Sequence, residues 1–365
     1  MLRVLQVIGK MDRAGAETML MNIYRNIDRT KLQFDFLVFT TEKADYDDEI
    51  ESLGGKIFHL PAFKGYNYFS IRKELKKFFK EHEYTIVHGH IGSLAPVYLK
   101  FAKKHGGYAI AHSHAMDSNR ILEKIIYKIF TYRVRYVADY FMACSRQAGI
   151  DRFGEEIYNS NNFTIVNNGI DSELYKYTIE RHLRLKQKFN MHDKTVYGHI
   201  GRFMNQKNHA FLIEVFKFIV EKDKNSVLIM IGKGEEEESI KKAVNKLGIQ
   251  ENVQFWGVRT DIPDMLNMMD VFIFPSFYEG LSVVGVEAQA AGLPCFFSEG
   301  IVKDSIITKN VWRYPLEWGP EKWAENILLI VDKFIRGDTR QNIIDAHFDI
   351  RDTVEEIQRF YLEHC

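Results

Sequence analysis

Short runs of consecutive apolar residues recur along this chain, and between them apolar residues return every three or four positions. The runs Val4–Ile8, Phe34–Phe39, Ile57–Leu60, Thr85–His88, Tyr108–His112, Tyr140–Ala143 and Phe163–Val166 have the length of strands buried on both faces. Helical spacing fills the gaps, as in Glu17–Ile27 and Ile71–Phe79. Beyond the polar turn Asn167-Asn168-Gly169-Ile170-Asp171 the alternation starts again, with strand candidates Val196–Ile200, Val227–Ile231, Val253–Trp256, Val271–Phe274 and Pro294–Phe297. Strands alternating with helices predict parallel sheets covered by helices. The pattern therefore predicts an α/β chain of two doubly wound domains facing a cleft, residues 1–170 and 171–350, with a terminal helix over 351–365. No period of 20–50 residues repeats, which excludes a solenoid.

Composition narrows this picture little. A chain of 365 residues exceeds the usual size of one core. With 46% hydrophobic and 27% charged residues it is an ordinary globular protein. Only 7 prolines and 24 glycines leave no room for a low-complexity linker. Cys144, Cys295 and Cys365 are too scattered for a disulfide framework or a zinc site, and fit a reducing, cytoplasmic setting. The opening MLRVLQVIGKMD reads as a first strand and not as a signal peptide, and no apolar stretch reaches the ~18 residues needed to span a bilayer.

Charge is balanced overall but unevenly placed. Residues 1–170 hold 24 Lys/Arg against 19 Asp/Glu, and residues 67–136 alone hold 13 against 5. Within 119–136, Arg120, Lys124, Lys128, Arg133 and Arg135 alternate with Ile121, Leu122, Ile125, Ile126, Ile129, Phe130 and Tyr132. Such a face either docks at the inner surface of an anionic membrane as a peripheral contact or is simply solvated. Basic residues are not interleaved with aromatics in any loop, so nucleic acid is excluded as a partner.

The chemistry concentrates in the second half. In YGHIGRFMNQKNH (197–209) a strand ends at Gly201, and a helical pattern begins near Asn208, so Arg202 and Lys207 flank a strand-to-helix turn. Ligands of open α/β sheets bind outside the carboxyl ends of strands, and two fixed cations there suit a diphosphate. In FPSFYEGLSVVGVEAQAAGLP (274–294) another strand ends at Pro275. Glu279, Gly280 and a helix carrying Glu287 follow, with the amides of Leu281–Val283 pointing at an anion site. Carboxylates beside such a site suit the neutral hydroxyls of a sugar or ribose. Taken singly each residue is an ordinary surface charge; together they indicate phosphate and sugar binding.

The first half adds Gly15 at a helix start, in Ala14-Gly15-Ala16, and four histidines. His88 and His90 end one strand while His112 and His114 end the next, so all four can line one crevice. No cysteine or carboxylate completes a metal set with them, and as a group they suit hydrogen bonds to sugar hydroxyls.

GRF-x-x-QKN together with E-G-L-x-x-x-x-x-E resembles the retaining nucleotide-sugar glycosyltransferases of the GT-B fold, in the large family four (group 1) that contains sucrose synthases and many bacterial capsule and exopolysaccharide enzymes. The resemblance implies two Rossmann-like domains, the first binding acceptor and the second donor, and a C-terminal helix folded back onto the first. It places Arg202 and Lys207 on the donor diphosphate, Glu279 against the donor sugar and Glu287 on the ribose. Gly15, Gly232, Val258, Gly280, Leu281, Ser282 and Val283 would complete the donor site. His114, with His112 as second choice, would sit near the sugar C6 hydroxyl, with His88 and His90 beside it. The family retains two glycines where this chain keeps only Gly15, and Ser282 stands where relatives often carry Pro or Phe. The implied partners are a nucleotide sugar, most often a uridine one, and a glycan acceptor, lipid-linked in many members; no cofactor or metal is implied. A nucleotide-sugar epimerase and a non-catalytic subunit that binds sugar nucleotide are the alternatives.

Overall fold

The computed structural model describes residues 1–13, 15–90, 92–114 and 132–365. The described chain divides into two compact units: residues 1–169 with 350–365, and residues 170–349. The amphipathic stretch 119–131 lies outside the described residues.

The first unit is built on seven parallel strands: β1 (Leu2–Ile8), β2 (Leu32–Val38), β3 (Ile57–His59), β4 (Ile86–Gly89), β5 (Tyr108–Ser113), β6 (Tyr140–Ala143) and β7 (Phe163–Ile165). They lie in the order β3-β2-β1-β4-β5-β6-β7. Every residue of β2 is buried, its five apolar residues and the two polar ones, Gln33 and Asp35, alike. The one acid within it, Asp35, is held by Arg3 Nε at 2.7 Å and by the Lys56 amide at 2.8 Å. The strand order reverses direction between β1 and β4, and in open α/β sheets the connections that leave to opposite faces at such a reversal open a crevice beyond the carboxyl ends of the strands.

The helix Ile350–Glu363 belongs to this unit although it follows the whole of the second. Ile350, Val354, Ile357 and Tyr361 recur at helical spacing and are buried in the same cluster as Val4, Phe34 and Ile86. Each such side chain contributes about 2 kcal/mol by burial, an upper figure because the unfolded chain is partly collapsed. Tyr361 meets Phe34 edge-on at 6.0 Å between ring centroids.

The second unit has six parallel strands: β8 (Thr195–Ile200), β9 (Ser226–Ile231), β10 (Val253–Phe255), β11 (Val271–Phe274), β12 (Cys295–Ser298) and β13 (Val311–Tyr314). Their order is β10-β9-β8-β11-β12-β13. Its reversal falls between β8 and β11, the two strands that precede the charged segments at 201–209 and 275–287. Cys144 and Cys295 are buried thiols, and burial pushes both above the ordinary thiol range.

Candidate active site

In the second unit the two loops at the strand reversal are sewn together by backbone groups. After β8 the chain makes a short turn, Asn205–Lys207, and Asn208 takes a left-handed conformation with φ of 55° to start the helix His209–Lys222. An asparagine tolerates that conformation better than most residues. The Phe277 amide donates to the Gln206 carbonyl at 2.9 Å, the Gln206 side-chain amide donates to the Tyr278 carbonyl at 2.9 Å, and Asn208 Nδ2 donates to the Pro275 carbonyl at 3.2 Å. Gln206 and Asn208 thus fix the second loop, and the cation between them is Lys207.

Lys207 Nζ lies 2.8 Å from Glu279 Oε1, and both side chains are largely buried. The ammonium also sits 4.6 Å from the centroid of the Phe274 ring. Arg202 stands at the same strand end but is exposed, and among the described residues it has no carboxylate partner. Two cations therefore differ in state: one is already paired and one is open.

Glu279 is held from behind, its amide donating to the Gly300 carbonyl at 3.0 Å. Gly280 and Leu281 lead into the helix Val283–Ala290, whose N-cap is Ser282: its Oγ accepts from the Gly285 amide at 3.2 Å. The Ser282 amide donates to Ser305 Oγ at 3.2 Å, so that N–H is not available to a ligand. Of the three amides predicted to face an anion, Leu281 and Val283 remain. Glu287 is on the second turn, and Tyr175 donates to its Oε1 at 2.6 Å. Burial raises the Glu287 carboxyl above its ordinary value, while the Tyr175 hydrogen bond opposes that shift.

Gly232 and Val258 lie at the ends of β9 and β10. Gly232 has φ of 141°, and a Cβ there would fall 2.1 Å from the Gly201 carbonyl oxygen, so only glycine lets this loop approach the turn that bears Arg202. Val258 is largely exposed beside it. Sequence reading passed over His199 and His209. Both are fully buried under the Lys207 turn, their ring centroids 4.7 Å apart, with His199 Nδ1 2.9 Å from the Ile273 carbonyl.

In the first unit all four predicted histidines come together at the carboxyl ends of β4 and β5. His88 Nε2 is 3.1 Å from His112 Nδ1, and His90 Nδ1 is 2.6 Å from His114 Nε2. Tyr361 on the far helix reaches His88 Nδ1 at 2.6 Å, and Gln6 Oε1 on β1 lies 2.9 Å from His90 Nε2. Neither Gln6 nor Tyr361 carried a sequence signal. Burial pushes His88 and His114 down to about 3 and His90 and His112 well below the ordinary imidazole value, so all four are neutral at pH 7. Ring nitrogens of His88, His90 and His112 all lie within 4.8 Å of one another, a spacing that invites a metal ion. However, the His88 and His112 rings are within 11° of parallel and their nitrogens are 3.1 Å apart, closer than the roughly 3.3 Å that two tetrahedral zinc ligands at about 2.0 Å require. That is the geometry of an N–H···N hydrogen bond. Gly15 opens the helix Gly15–Asn26, and a Cβ at that position would meet nothing within 4 Å.

Two doubly wound parallel sheets with charged loops at their strand reversals define the GT-B class of glycosyltransferases, and solved structures of that class overlay the whole chain. The Anabaena protein HepE in complex with UDP-glucose matches with a TM-score of 0.81 over 100% of both chains, at 18% identity. The sequence places the chain further. Residues 182–347 match the family described as glycosyl transferases group 1, and residues 13–174 match glycosyltransferase family 4. A Bacillus subtilis (strain 168) protein named as the glycosyltransferase EpsF is 31% identical over 89% of this chain and 86% of its own length. The capsular polysaccharide biosynthesis glycosyltransferase CapH of Staphylococcus aureus is 24% identical over 99% of both chains. An Escherichia coli enzyme, UDP-Gal:alpha-D-GlcNAc-diphosphoundecaprenol alpha-1,3-galactosyltransferase, is 26% identical over 95% of this chain and 96% of its own. The chain belongs to the group 1 glycosyltransferases of family 4.

Proposed function

We propose that this protein transfers a glycosyl group from a uridine diphosphate sugar to a hydroxyl of a lipid-linked glycan, with retention at the anomeric carbon, in the synthesis of a capsular or extracellular polysaccharide. The observation that carries the reading is the Lys207–Glu279 pair, set where β8 and β11 part. An incoming diphosphate offers Lys207 a stronger anion than one carboxylate, so the ammonium exchanges partners and releases Glu279 to the sugar hydroxyls. Arg202 and the Leu281 and Val283 amides complete the anion site, and Glu287, oriented by Tyr175, accepts from the ribose hydroxyls. As the bond from the anomeric carbon to the diphosphate oxygen breaks, these groups stabilise the charge that builds on the leaving group. The acceptor oxygen bonds to the anomeric carbon from the same face, and its proton passes to the departing phosphate. Glu279 holds the sugar and faces the positive charge that develops on it. Related proteins named for UDP complexes and for a diphosphoundecaprenol acceptor support the choice of donor and acceptor class.

The test is incubation of the full chain with a panel of labelled UDP-sugars and a lipid-linked glycan, in EDTA. Transfer, or slow donor hydrolysis without acceptor, is expected at unchanged rate, because Arg202, Lys207 and a helix N-terminus supply the positive potential that other enzymes draw from a metal. Conversion of the donor to its epimer, binding without turnover, or strict dependence on added manganese would each sink the reading.

The acceptor's lipid gives the first unit a reason to meet a membrane. No helix among the described residues is long and apolar enough to cross one. The helix Tyr68–Glu81, by contrast, buries Ile71, Leu75, Phe78 and Phe79 while presenting Arg72, Lys73, Lys76, Lys77 and Lys80 outward. Tyr66 and Phe69 project beside them, 82% and 80% exposed. Aromatics next to basic residues suit the interface of an anionic bilayer, where each cation is worth about 1 kcal/mol. Co-sedimentation with anionic liposomes should weaken by at least roughly tenfold when Lys76 and Lys80 become Glu, and with added salt. Equal binding to neutral liposomes, or none to either, removes the membrane from the proposal.

A further inference from the structure

The four histidines of the first unit form two branches that start from one fully buried side chain, Gln6. Along the first branch, Gln6 Oε1 lies 2.9 Å from His90 Nε2, and His90 Nδ1 lies 2.6 Å from His114 Nε2. Along the second, Gln6 Nε2 donates to the Tyr361 hydroxyl at 3.2 Å, the hydroxyl lies 2.6 Å from His88 Nδ1, and His88 Nε2 lies 3.1 Å from His112 Nδ1. Both branches end in a buried ring nitrogen that has no hydrogen-bond partner among the described residues, His114 Nδ1 on one and His112 Nε2 on the other.

Each neutral imidazole carries one proton, so the branches can be read outward from the amide. The Gln6 oxygen can only accept, which makes His90 Nε2 the protonated nitrogen and His90 Nδ1 an acceptor. His114 must then donate from Nε2, and its Nδ1 is left as a bare lone pair. On the other branch the Gln6 nitrogen can only donate, so the Tyr361 oxygen accepts from it and the Tyr361 proton goes to His88 Nδ1. His88 then donates from Nε2, His112 accepts at Nδ1, and His112 Nε2 carries an unused N–H. The His112 and His114 rings stack with their centroids 4.0 Å apart, so the bare acceptor and the free donor are neighbours.

We propose that Gln6 and Tyr361 are positioning residues that impose one proton order on all four histidines, so that the first unit presents a donor at His112 and an acceptor at His114 side by side to a hydroxyl-bearing ligand. A sugar hydroxyl, or two vicinal ones, satisfies both: one oxygen accepts from His112 while one hydroxyl proton goes to His114. An anion finds an acceptor in its way, and a cation finds a donor. The site therefore selects an uncharged polyol, and it draws its polarity from a helix that arrives from the other end of the chain. Suppression of the charged forms serves the same end, since an imidazolium would donate from both nitrogens and erase the acceptor.

The substrate part of this inference rests on the glycosyltransferase reading; the proton order does not, and the experiment separates them. The full chain labelled with nitrogen-15 in histidine is observed by long-range proton–nitrogen correlation at pH 7.5, with the four residues assigned through single His→Gln variants. All four should show a protonated Nε2 and a bare Nδ1. In Tyr361→Phe, His88 and His112 should lose the single-tautomer pattern while His90 and His114 keep theirs, and kcat/KM for transfer should fall roughly tenfold with unchanged UDP affinity, as expected for one hydrogen bond. Phe360→Leu, which trims packing on the same helix, should lower the Tm and leave the tautomers alone. A protonated Nδ1 at His114 in the wild-type spectrum overturns the order outright, whether or not any variant folds. Zinc retained stoichiometrically after dialysis, with all four histidines shifted, overturns it as well. If the spectra are as expected but no UDP-sugar is turned over, the proton order stands and the catalytic reading falls.

Discussion

Changing Lys207 to Ala should lower glycosyl transfer by roughly 10²–10³-fold, the loss found when one preorganised group that stabilises developing negative charge is removed. The Gln206 and Asn208 hydrogen bonds to the loop after β11 fix the turn on either side of Lys207, and Lys207 is the cation that this turn places 2.8 Å from Glu279. The variant also leaves Glu279 buried beside no cation. That costs about 1–3 kcal/mol, a visible drop in Tm and still a folded protein. The double variant Lys207→Ala with Glu279→Gln should regain most of the Tm and none of the activity. Steady-state rates and melting curves of the two proteins decide the matter, and near-full transfer by the single variant would refute the diphosphate role.

Mild acid should unfold the protein. Burial holds His88 and His114 down to about 3 and His209 down to about 4, with His90, His112 and His199 also well below the ordinary value. In the unfolded chain the same residues titrate near 6.5. Between about 6.5 and these depressed values the unfolded state binds more protons than the folded one, so stability falls as the pH falls through that window and is complete above it. One such histidine costs on the order of 2 kcal/mol at pH 5, and a few together rival the whole stability of a typical domain. The carboxylates held low, Asp35 by its bonds to Arg3 and Asp270 by a hydrogen bond from His182 and by the Lys186 ammonium, contribute only nearer pH 4 and below. Melting followed by circular dichroism should therefore show Tm dropping by ten degrees or more from pH 7.5 to 5.0. A flat profile across that interval would mean that the histidines are solvated.

Local pattern reached most of the strands because a parallel strand covered on both faces must be apolar over its length. β13 escaped because it lies at the sheet edge, only Tyr314 of its four residues is buried, and Val-Trp-Arg-Tyr has no unbroken apolar run. The charged residues that gather beyond β8 and β11 were legible as a set, since the GRF-x-x-QKN and E-G-L segments each follow a recognisable strand. Their pairing was not. Lys207 and Glu279 meet only because β8 and β11 are neighbours in the sheet, and strand order is written in no local periodicity. Tyr175 on Glu287 and Gln6 on Tyr361 are hidden for the same reason, separated by 112 and 355 positions along the chain. His199 and His209 read as ordinary members of a strand and a helix start, and only their burial sets them apart.

The helix Ile350–Glu363 completes a unit whose other residues, save the two that follow the helix, all precede position 170. On the ribosome the intervening residues 170–349 form an uninterrupted unit and can fold as soon as they emerge. The seven-stranded sheet, although made first, must wait for that helix to cover Val4, Phe34 and Ile86. At 5–20 residues per second the delay is roughly 10–40 s, during which an apolar sheet face stands open to chaperones and to aggregation. The half of the protein that is synthesised first is thus the half that matures last.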